Sequence, residues 1–197
     1  MPHRAAVRTR IATPADVEIL AVLWNELRDL GARSERAINP VTVADANQRF
    51  AEVVKQDDAD VIIACAGDDV AGLAIVRVVQ PDPLSPTRLL QLSNMVVASG
   101  HRRRGVGHAL VAAAAEYADE RGLDHVGAGI YPSLREAGRF FVRLGFAPVA
   151  VQRVAPVTAL QRRLGAGTSL RLDERVRRRR LRSPLPPPRR RAESHSD

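Results

Sequence analysis

The stretch MVVASGHRRRGVGHALV, residues 95–111, joins an apolar run typical of a β-strand to a pattern typical of an α-helix. Three consecutive arginines and two glycines stand at the junction, within residues 102–107. Glycine lets a backbone approach a ligand closely, and the unpaired N–H groups of a first helical turn attract anions. The junction therefore favours a phosphate-binding loop, although glycines that merely turn a corner beside solvated arginines give the same short pattern.

The spacing of this loop excludes two common phosphate-binding motifs. A Walker A loop requires a lysine directly after its second glycine, and no lysine occurs in the segment. A dinucleotide-binding fingerprint requires Gly or Ala three residues after its second glycine, where this chain has Leu110. Neither ATP-type nor dinucleotide binding of these kinds is expected.

Periodicity on both sides of the loop predicts an α/β fold around a mixed sheet. Strand patterns cover 60–66, 70–79, 88–99, 124–131 and 146–154, with a further short strand at 7–11. Helical spacing begins after Thr13 and runs to about Leu30, and it begins again after Thr42 and runs to about Lys55. It recurs from Val106, after Ser133 and at 157–164. The order strand, helix, strand over 88–131 predicts one βαβ crossover.

Several helix ends are marked by capping residues. Thr13 with Asp16, Thr42 with Asp45, and Ser133 with Glu136 each have the spacing of a capping box or its Asp variant. Gly122 and Gly145 are each followed by an apolar residue, as in a Schellman stop.

The net charge of +8 is unevenly distributed along the chain. Residues 165–197 carry ten arginines and four acidic residues, so residues 1–164 contribute only +2. The composition predicts a domain over 1–164 and a disordered Arg/Pro-rich tail over 165–197. The tail has no aromatic residue to stack on bases, so its contact with nucleic acid would be non-specific, and a merely solubilising role is equally open.

Three features favour a cytoplasmic protein. Cys65 has no second cysteine in the chain to pair with, the N-terminus lacks the apolar core of a signal peptide, and no run approaches the length of a membrane span. No membrane partner is expected.

Two signatures resemble those of the GNAT (GCN5-related) N-acetyltransferases. Residues 102–107 match the pattern [QR]-x-x-G-x-[GA] of that family's acyl-CoA loop, and AGRFFVRLGFAPV, from Ala137, is similar to its second signature. Together with the opening VRTRIATPADVEIL, the resemblance covers about residues 7–154. It implies the acyl-CoA N-acyltransferase fold, whose mostly antiparallel sheet has six to seven strands flanked by about four helices.

The resemblance implies that acetyl-CoA is the co-substrate and that no metal is needed. Its pyrophosphate would bind the backbone N–H groups of the loop with help from the arginines, and its pantetheine would lie where strand four bulges away from strand five. A backbone N–H there, expected at Val97, would polarise the thioester carbonyl. The implied cofactor-binding residues are Met95, Val96, Val97, Arg102, Arg103, Arg104, Gly105, Val106 and Gly107.

The chain departs from the family pattern at two catalytic positions. Phe141 stands where the family commonly places the tyrosine that protonates the departing thiolate, and Leu134 stands where an asparagine often begins the second signature. Tyr131, with Ser133 behind it, is the nearest replacement donor by predicted location, although an ordinary aromatic at a strand end fits as well. A thiolate can also leave unprotonated, because its conjugate acid is fairly strong.

No residue stands out as the general base. Strand four carries only Gln91, Ser93 and Asn94 as polar side chains, so Glu26, Asp29 and Glu35 are candidates by their predicted position near the acceptor cleft. The histidines, His101, His108 and His125, lack a metal-binding spacing, and Cys65 lies mid-strand as a small core residue.

Two functions remain open from the sequence. The first is an N-acetyltransferase that moves the acetyl group of acetyl-CoA to an amine, on a small molecule or peptide, by direct attack in a ternary complex. The second is an acyl-CoA-binding module with weak or no catalysis that serves as a sensor or partner-binding protein. Acceptor identity, acyl-chain preference and a homodimer are left open.

Overall fold

The computed structural model describes residues 6–31, 43–56, 58–131 and 134–164. Its contacts divide the chain into two units, Met1–Ala147 and Pro148–Asp197. The elements of the first unit are β1 (Val7–Ile11), α1 (Val17–Gly31), α2 (Val43–Val53), β2 (Ala59–Ala66), β3 (Asp69–Val79), β4 (Leu89–Val97), α3 (Val106–Asp119), β5 (Val126–Ala128) and α4 (Arg135–Arg143). The second unit contains α5 (Val157–Leu164).

The sheet has five strands in the order β1-β2-β3-β4-β5. The first four pair antiparallel with their sequence neighbours, whereas β4 and β5 are parallel and are joined through α3. This arrangement confirms the mixed, mostly antiparallel sheet and the predicted crossover.

Alternating side chains of the strands face two hydrophobic clusters. On one face, Ile62, Leu90 and Leu92 pack with α3 and Phe141 of α4. On the other, Ile63, Leu73 and Val96 pack with α1 and α2. Successive side chains of a strand point to opposite faces of the sheet, and helices cover both faces here. Both sets of side chains in β2 and β3 are therefore apolar, which gives the nearly continuous apolar runs.

The first turn of α3 lies directly on β3 because Gly72 has no side chain. A Cβ at Gly72 would stand 2.7 Å from the Val96 carbonyl oxygen and 2.9 Å from Val106 Cγ1. Val106 and Leu110 are both fully buried there. This close contact fixes where the loop before α3 meets the sheet.

A buried carboxylate joins the end of β1 to the start of α1. Asp16 accepts two hydrogen bonds from the Arg10 guanidinium, at 2.7 and 2.8 Å, and two from the N–H and hydroxyl of Thr13, at 2.7 and 2.9 Å. The Arg10 hydrogen bonds hold the pKa of Asp16 well below its usual range. The predicted cap at Thr13 is confirmed, with Pro14–Asp16 forming a short 3-10 helix before α1.

The C-terminal half of α3 is held to β2 by a polar cluster. The Tyr117 hydroxyl donates to Asp60 at 2.5 Å, and the Arg121 guanidinium lies 3.4 Å from the centre of the Tyr117 ring. Burial, followed by the bond to Asp60, raises the pKa of Tyr117 to about 12. Tyr117 therefore stays neutral and helps to fix the direction of α3.

Both predicted helix stops are confirmed. Gly122 and Gly145 adopt left-handed φ values of 63° and 90°, and the following Leu123 and Phe146 donate back to Ala118 and Phe141. Thr42 and Ser133, the expected caps of α2 and α4, lie outside the described residues.

The expected strand over 146–154 is wrong. Residues 147–156 have no regular secondary structure, and Val149 and Val151 are 97 % and 75 % exposed. Valine favours a strand only where a neighbouring strand supplies a ladder and a packing surface, and Pro148 removes one donor. The described residues accordingly form five strands instead of six or seven, with five α-helices.

The second unit is described only over 148–164. Its helix α5 confirms the short helix expected at 157–164. The predicted tail, 165–197, lies outside the described residues. Within the described ranges, no helix has both the length and the apolar character needed to cross a membrane.

Asp16→Asn should lower the free energy of unfolding by about 1–2 kcal/mol near neutral pH, because it weakens charge-assisted and capping bonds. The folded-state pKa of Asp16 lies below the unfolded value, so its contribution is present above about pH 4 and is lost as the pH falls. Urea unfolding at neutral and acidic pH measures both effects, with Glu116→Gln on the exposed face of α3 as control. A difference between Asp16→Asn and the wild type that does not shrink in acid would contradict this explanation.

Gly72→Ala should lower the free energy of unfolding by about 1–3 kcal/mol, because its Cβ would overlap a backbone oxygen and Val106. Gly100→Ala is the matched control, since a Cβ there meets no heavy atom within 4 Å. Thermal or urea unfolding compares the two variants, and equal stability of both would show that α3 can shift without cost.

Candidate functional site

Strand β4 contains a bulge near its C-terminal end. Leu73 pairs with Val96 and Ile75 with Ser93, so two residues of β4, Asn94 and Met95, oppose one residue of β3. Asn94 has a left-handed φ of 51°, which asparagine tolerates better than most residues. The bulge redirects the last residues of β4, as the family resemblance implied.

Strands β4 and β5 separate close to this bulge. Their ladder covers only Leu90–Leu92 with Val126–Ala128. The last bond runs from the Gly129 N–H to the Leu92 carbonyl oxygen, at 3.2 Å. Beyond it, β4 continues to Val97 without a partner from β5, and we call the opening between them the β4–β5 cleft.

The backbone N–H of Val97 faces this cleft. The neighbouring Ala98 N–H donates to the Ala71 carbonyl of β3 at 2.9 Å. Since successive peptide groups of a strand point to opposite sides, the Val97 N–H points away from β3. It is therefore a backbone donor available on the side of the cleft.

The loop between β4 and α3 has an unusual backbone. A 3-10 turn over Ser99–His101 is followed by Arg103 and Gly105 with φ values of 59° and 88°. A Cβ at Gly105 would meet nothing within 4 Å, so its conformation rather than crowding requires glycine. Left-handed residues alternating with ordinary ones turn successive N–H groups toward a common point, which favours anions.

The first turn of α3 supplies further donors. The first intrahelical bond runs from Ala109 to Gly105, at 3.0 Å, so the N–H groups of Val106, Gly107 and His108 are not used by the helix. Gly107 faces α4, because a Cβ there would lie 3.3 Å from Phe140 Cζ. The absence of a side chain at Gly107 therefore lets α4 pack closely against α3 and also lets a ligand approach the backbone.

The three arginines of the loop are exposed. Arg102 Nε lies 3.5 Å from the Val97 carbonyl oxygen, at the limit of a hydrogen bond, so the loop folds back over the end of β4. None of the ion pairs found among the described residues involves Arg102 or Arg104. Their positive charge is thus available to an anion at the loop.

These observations bring most of the predicted residues together. Met95 lies in the bulge, Val96 and Val97 follow it, and 102–107 form the adjoining loop and helix start. The Val96 side chain is buried on the α1 face, whereas Met95 and Val97 pack on the α3 face. Because these three side chains pack on opposite faces of the sheet, only the backbone groups of Met95, Val96 and Val97 are available together in the β4–β5 cleft.

Tyr131 is not linked to this group by any bond. It follows β5, is 59 % exposed, and its hydroxyl makes no hydrogen bond among the described residues. Its carbonyl oxygen accepts from Leu134 N–H at 2.9 Å, just before α4. Ser133 lies outside the described residues.

Phe141 is a packing residue. It is 4 % exposed and makes edge-to-face contacts with Phe140 and Phe146, at centroid distances of 5.2 and 5.1 Å. The ring at the position of the family's tyrosine is thus enclosed by other aromatic rings and has no proton to donate.

The remaining candidates give no catalytic assembly in the described part of the chain. The part of the chain that the structure describes does not include the side chains of Glu26, Asp29 and Glu35. His108 packs edge-on against Phe140 at 5.2 Å, and the described residues contain no cluster of metal-ligating side chains.

The sequence interpretation missed the role of two glycines in and after β5. Gln91 of β4 lies across Gly127 and Gly129, where a Cβ would come within 3.1 and 3.6 Å of its carboxamide. The alternation of glycines in VGAGI, residues 126–130, is the signal that could have indicated a side chain from β4 at this place.

The sequence matches the model of the Acetyltransferase (GNAT) family over residues 24–146, more than half of the chain. The chain belongs to the GNAT acetyltransferase family. The match includes the bulged strand, the loop and the first ten residues, 137–146, of the second signature, and it confirms the predicted family and fold class. A comparison with curated protein sequences gave no significant match.

Solved structures share the fold of this GNAT chain. A transcriptional regulator from Bacillus halodurans C-125 is 27 % identical with a TM-score of 0.63, covering 77 % of this chain and 99 % of its own. The aminoglycoside N-acetyltransferase AAC(6')-Iy in complex with CoA is 16 % identical with a TM-score of 0.66, covering 79 % and 97 %. A ribosomal-protein-alanine N-acetyltransferase from Brucella melitensis biovar Abortus 2308 is 18 % identical with a TM-score of 0.62, covering 77 % and 99 %.

Proposed function

We propose that the chain is an N-acetyltransferase that moves the acetyl group of acetyl-CoA to an amine. The observation that carries the proposal is the adjacency of the β4–β5 cleft and the left-handed loop at the start of α3. The cleft offers a backbone N–H donor for a thioester carbonyl, and the loop beside it offers an anion-binding backbone for a pyrophosphate. Acetyl-CoA carries both of these groups. Membership of the GNAT family and a CoA-bound structure of the same fold support this choice.

The loop would bind the pyrophosphate of acetyl-CoA. Backbone N–H groups of Gly105, Val106 and Gly107 lie at the helix start, and open space at Gly105 allows phosphate oxygens to approach. Arg102, Arg103 and Arg104 would add charge-assisted bonds from the exposed side. The pantetheine would then run along Met95–Val97 in the β4–β5 cleft.

The chemical step would be a direct attack. The amine nitrogen forms a bond to the thioester carbon, the carbon–sulphur bond breaks, and CoA leaves as a thiolate while the amine loses one proton. The Val97 N–H would stabilise the negative charge that develops on the carbonyl oxygen. Tyr131, which is 59 % exposed, is the proposed donor to the thiolate, and the thiolate can also leave unassisted.

A second candidate function has one observation in its favour. Phe141 fills the family's tyrosine position with a buried ring, and a sensor or partner-binding protein that binds acyl-CoA needs no proton donor there. The Bacillus halodurans protein of the same fold is described as a transcriptional regulator, which agrees with a non-enzymatic use of this fold.

Turnover should be detectable as free-thiol release from acetyl-CoA with one class of amine. The panel would contain an aminoglycoside and glucosamine 6-phosphate, which structural neighbours are named for, and an alanine peptide, because another neighbour is named a ribosomal-protein-alanine N-acetyltransferase. A polyamine and a lysine peptide complete the panel. Gly105→Glu should abolish turnover, because a carboxylate at the loop repels the pyrophosphate.

The matched control for this variant is Gly122→Glu at the other end of α3. Gly122 also has a left-handed φ and open space, so the control adds the same charge and backbone strain away from the loop. Saturable acetyl-CoA binding without turnover would favour the binding module. Absence of acetyl-CoA binding would contradict both functions.

We also propose that residues 1–164 suffice for acetyl-CoA binding and that 165–197 is a dispensable basic tail. A chain ending at Leu164 should bind acetyl-CoA as the full chain does and unfold at the same temperature. Calorimetry on both chains checks this, and a chain ending at Ala147, the end of the first unit, shows whether α5 contributes. Loss of binding on removing 165–197 alone would refute the boundary.

A further inference from the structure

Three arginines form a stripe along the exposed side of α4. Arg135, Arg139 and Arg143 follow one another at intervals of four residues, so they lie on one side of the helix, about 6 Å apart along its axis. All three are exposed, whereas Phe141 is buried. Because Phe141 stands two residues after Arg139, it points to the opposite side of α4. We call the three residues the α4 arginine stripe.

Nothing in the described part of the chain neutralises this stripe. None of the ion pairs found there involves its arginines, and the exposed Glu136 of the same helix pairs with none of them. Like charges four residues apart on a helix repel each other and lower its stability. A feature that opposes stability without a structural gain is typical of a functional surface.

Gly138 lies beside the stripe, and neither crowding nor backbone conformation requires glycine there. A Cβ at this position would meet no heavy atom within 4 Å, and Gly138 is not among the glycines with positive φ. Alanine stabilises a helix interior better than glycine does. Gly138, the 67 % exposed Val142 and the stripe together line one shallow depression. The glycine therefore leaves room for the backbone of a bound polymer between the arginine side chains.

The charge of the chain changes sign at the start of α4. Residues 135–197 contain sixteen arginines and five acidic residues, a net charge of +11, which leaves a net charge of −3 for residues 1–134. A short acidic peptide does not balance an excess of this size, whereas a nucleic acid carries one negative charge per nucleotide along its whole length. Arginines along one helix face, in a chain whose basic residues are concentrated in one part, are the electrostatic pattern of nucleic-acid binding.

We propose that the α4 arginine stripe binds nucleic acid through its phosphates. Guanidinium groups donate paired hydrogen bonds to phosphate oxygens. The stripe is about 12 Å long, which accommodates about three phosphates of one strand. Contacts to phosphates carry no sequence information, so binding is independent of base sequence and weakens steeply as salt is added.

The stripe lies away from the loop proposed to bind acetyl-CoA. Gly107, in the first turn of α3, faces Phe140 of α4, and His108 packs against the same ring. Phe140 and Phe141 both pack in the cluster on the α3 face, whereas the stripe lies on the side of α4 opposite Phe141. The inference therefore stands apart from the proposed function, and removal of the stripe should leave the Kd of acetyl-CoA unchanged.

Two triple variants of the full chain test the proposal. In the stripe variant, glutamine replaces each of the three arginines of α4. In the matched control, Arg8→Gln, Arg49→Gln and Arg88→Gln remove the same charge from exposed positions on β1, on α2 and directly before β4. The probe is a fluorescein-labelled single-stranded RNA of about 20 nucleotides, and anisotropy gives its Kd between about 50 and 200 mM salt.

The stripe variant should bind this RNA about tenfold more weakly at about 100 mM salt, and the control less than about threefold more weakly. The slope of log K against log salt should become about two units shallower in the stripe variant, since each lost phosphate contact removes about 0.7. Its unfolding temperature should not fall, because repulsion within α4 is relieved. Equal weakening in both variants would overturn the proposal, since net charge alone would then act. An unchanged Kd in the stripe variant would also overturn it.

The depression beside the stripe has a test of its own. Gly138→Gln fills the depression with an uncharged side chain and replaces glycine with a better helix former. RNA binding should weaken while the unfolding temperature stays the same or rises. A change in the unfolding temperature with an unchanged Kd for RNA would overturn the role of the depression, since Gly138 would then affect the helix alone.

Competition identifies the chemistry that the stripe recognises. A polyglutamate peptide with the same number of charges as the RNA should displace it poorly from the full chain, because carboxylates present fewer acceptor oxygens per charge than phosphates. Displacement by polyglutamate as effective as displacement by unlabelled RNA would overturn the nucleic-acid proposal and indicate an acidic protein partner. Absence of RNA binding at about 50 mM salt would overturn it as well, because phosphate contacts are strongest at low salt.

Discussion

The contact of Val106 with Gly72 is the constraint on which the rest of the site depends. A helix start can collect anions only if its position relative to the neighbouring groups is fixed, and here the first residue of α3 is buried against a strand without a side chain. The same glycine pairs with Val97, which lies two residues beyond the bulge of β4 at Asn94 and Met95. One contact thus fixes both the anion-binding loop and the backbone donor of the cleft.

The cleft itself results from a short ladder. Only three residue pairs join β4 and β5, and the bulge at Asn94 and Met95 directs the remainder of β4 away. An opening of this kind leaves strand N–H groups without partners, which is costly unless water or a ligand binds them. A thioester with a peptide-like pantetheine arm has the carbonyl and amide groups that such an edge requires.

Much of this arrangement could be predicted from local sequence, because its determinants are local. The cap at Thr13 and the stops at Gly122 and Gly145 act within a few residues, and the strand–loop–helix pattern of 95–111 is likewise contiguous. The strand expected at 146–154 failed because valines form a strand only with a suitable partner, which periodicity cannot supply. The position of Gln91 depends on glycines more than thirty residues away, so only the pairing of β4 with β5 reveals it.

The most direct measurement of the central claim is a crystal structure of the chain with bound CoA. Pyrophosphate oxygens within about 2.7–3.2 Å of backbone nitrogens among Gly105, Val106 and Gly107, with the pantetheine between β4 and β5, are the predicted result. CoA phosphates bound elsewhere, with the β4–β5 cleft free of pantetheine, would contradict it.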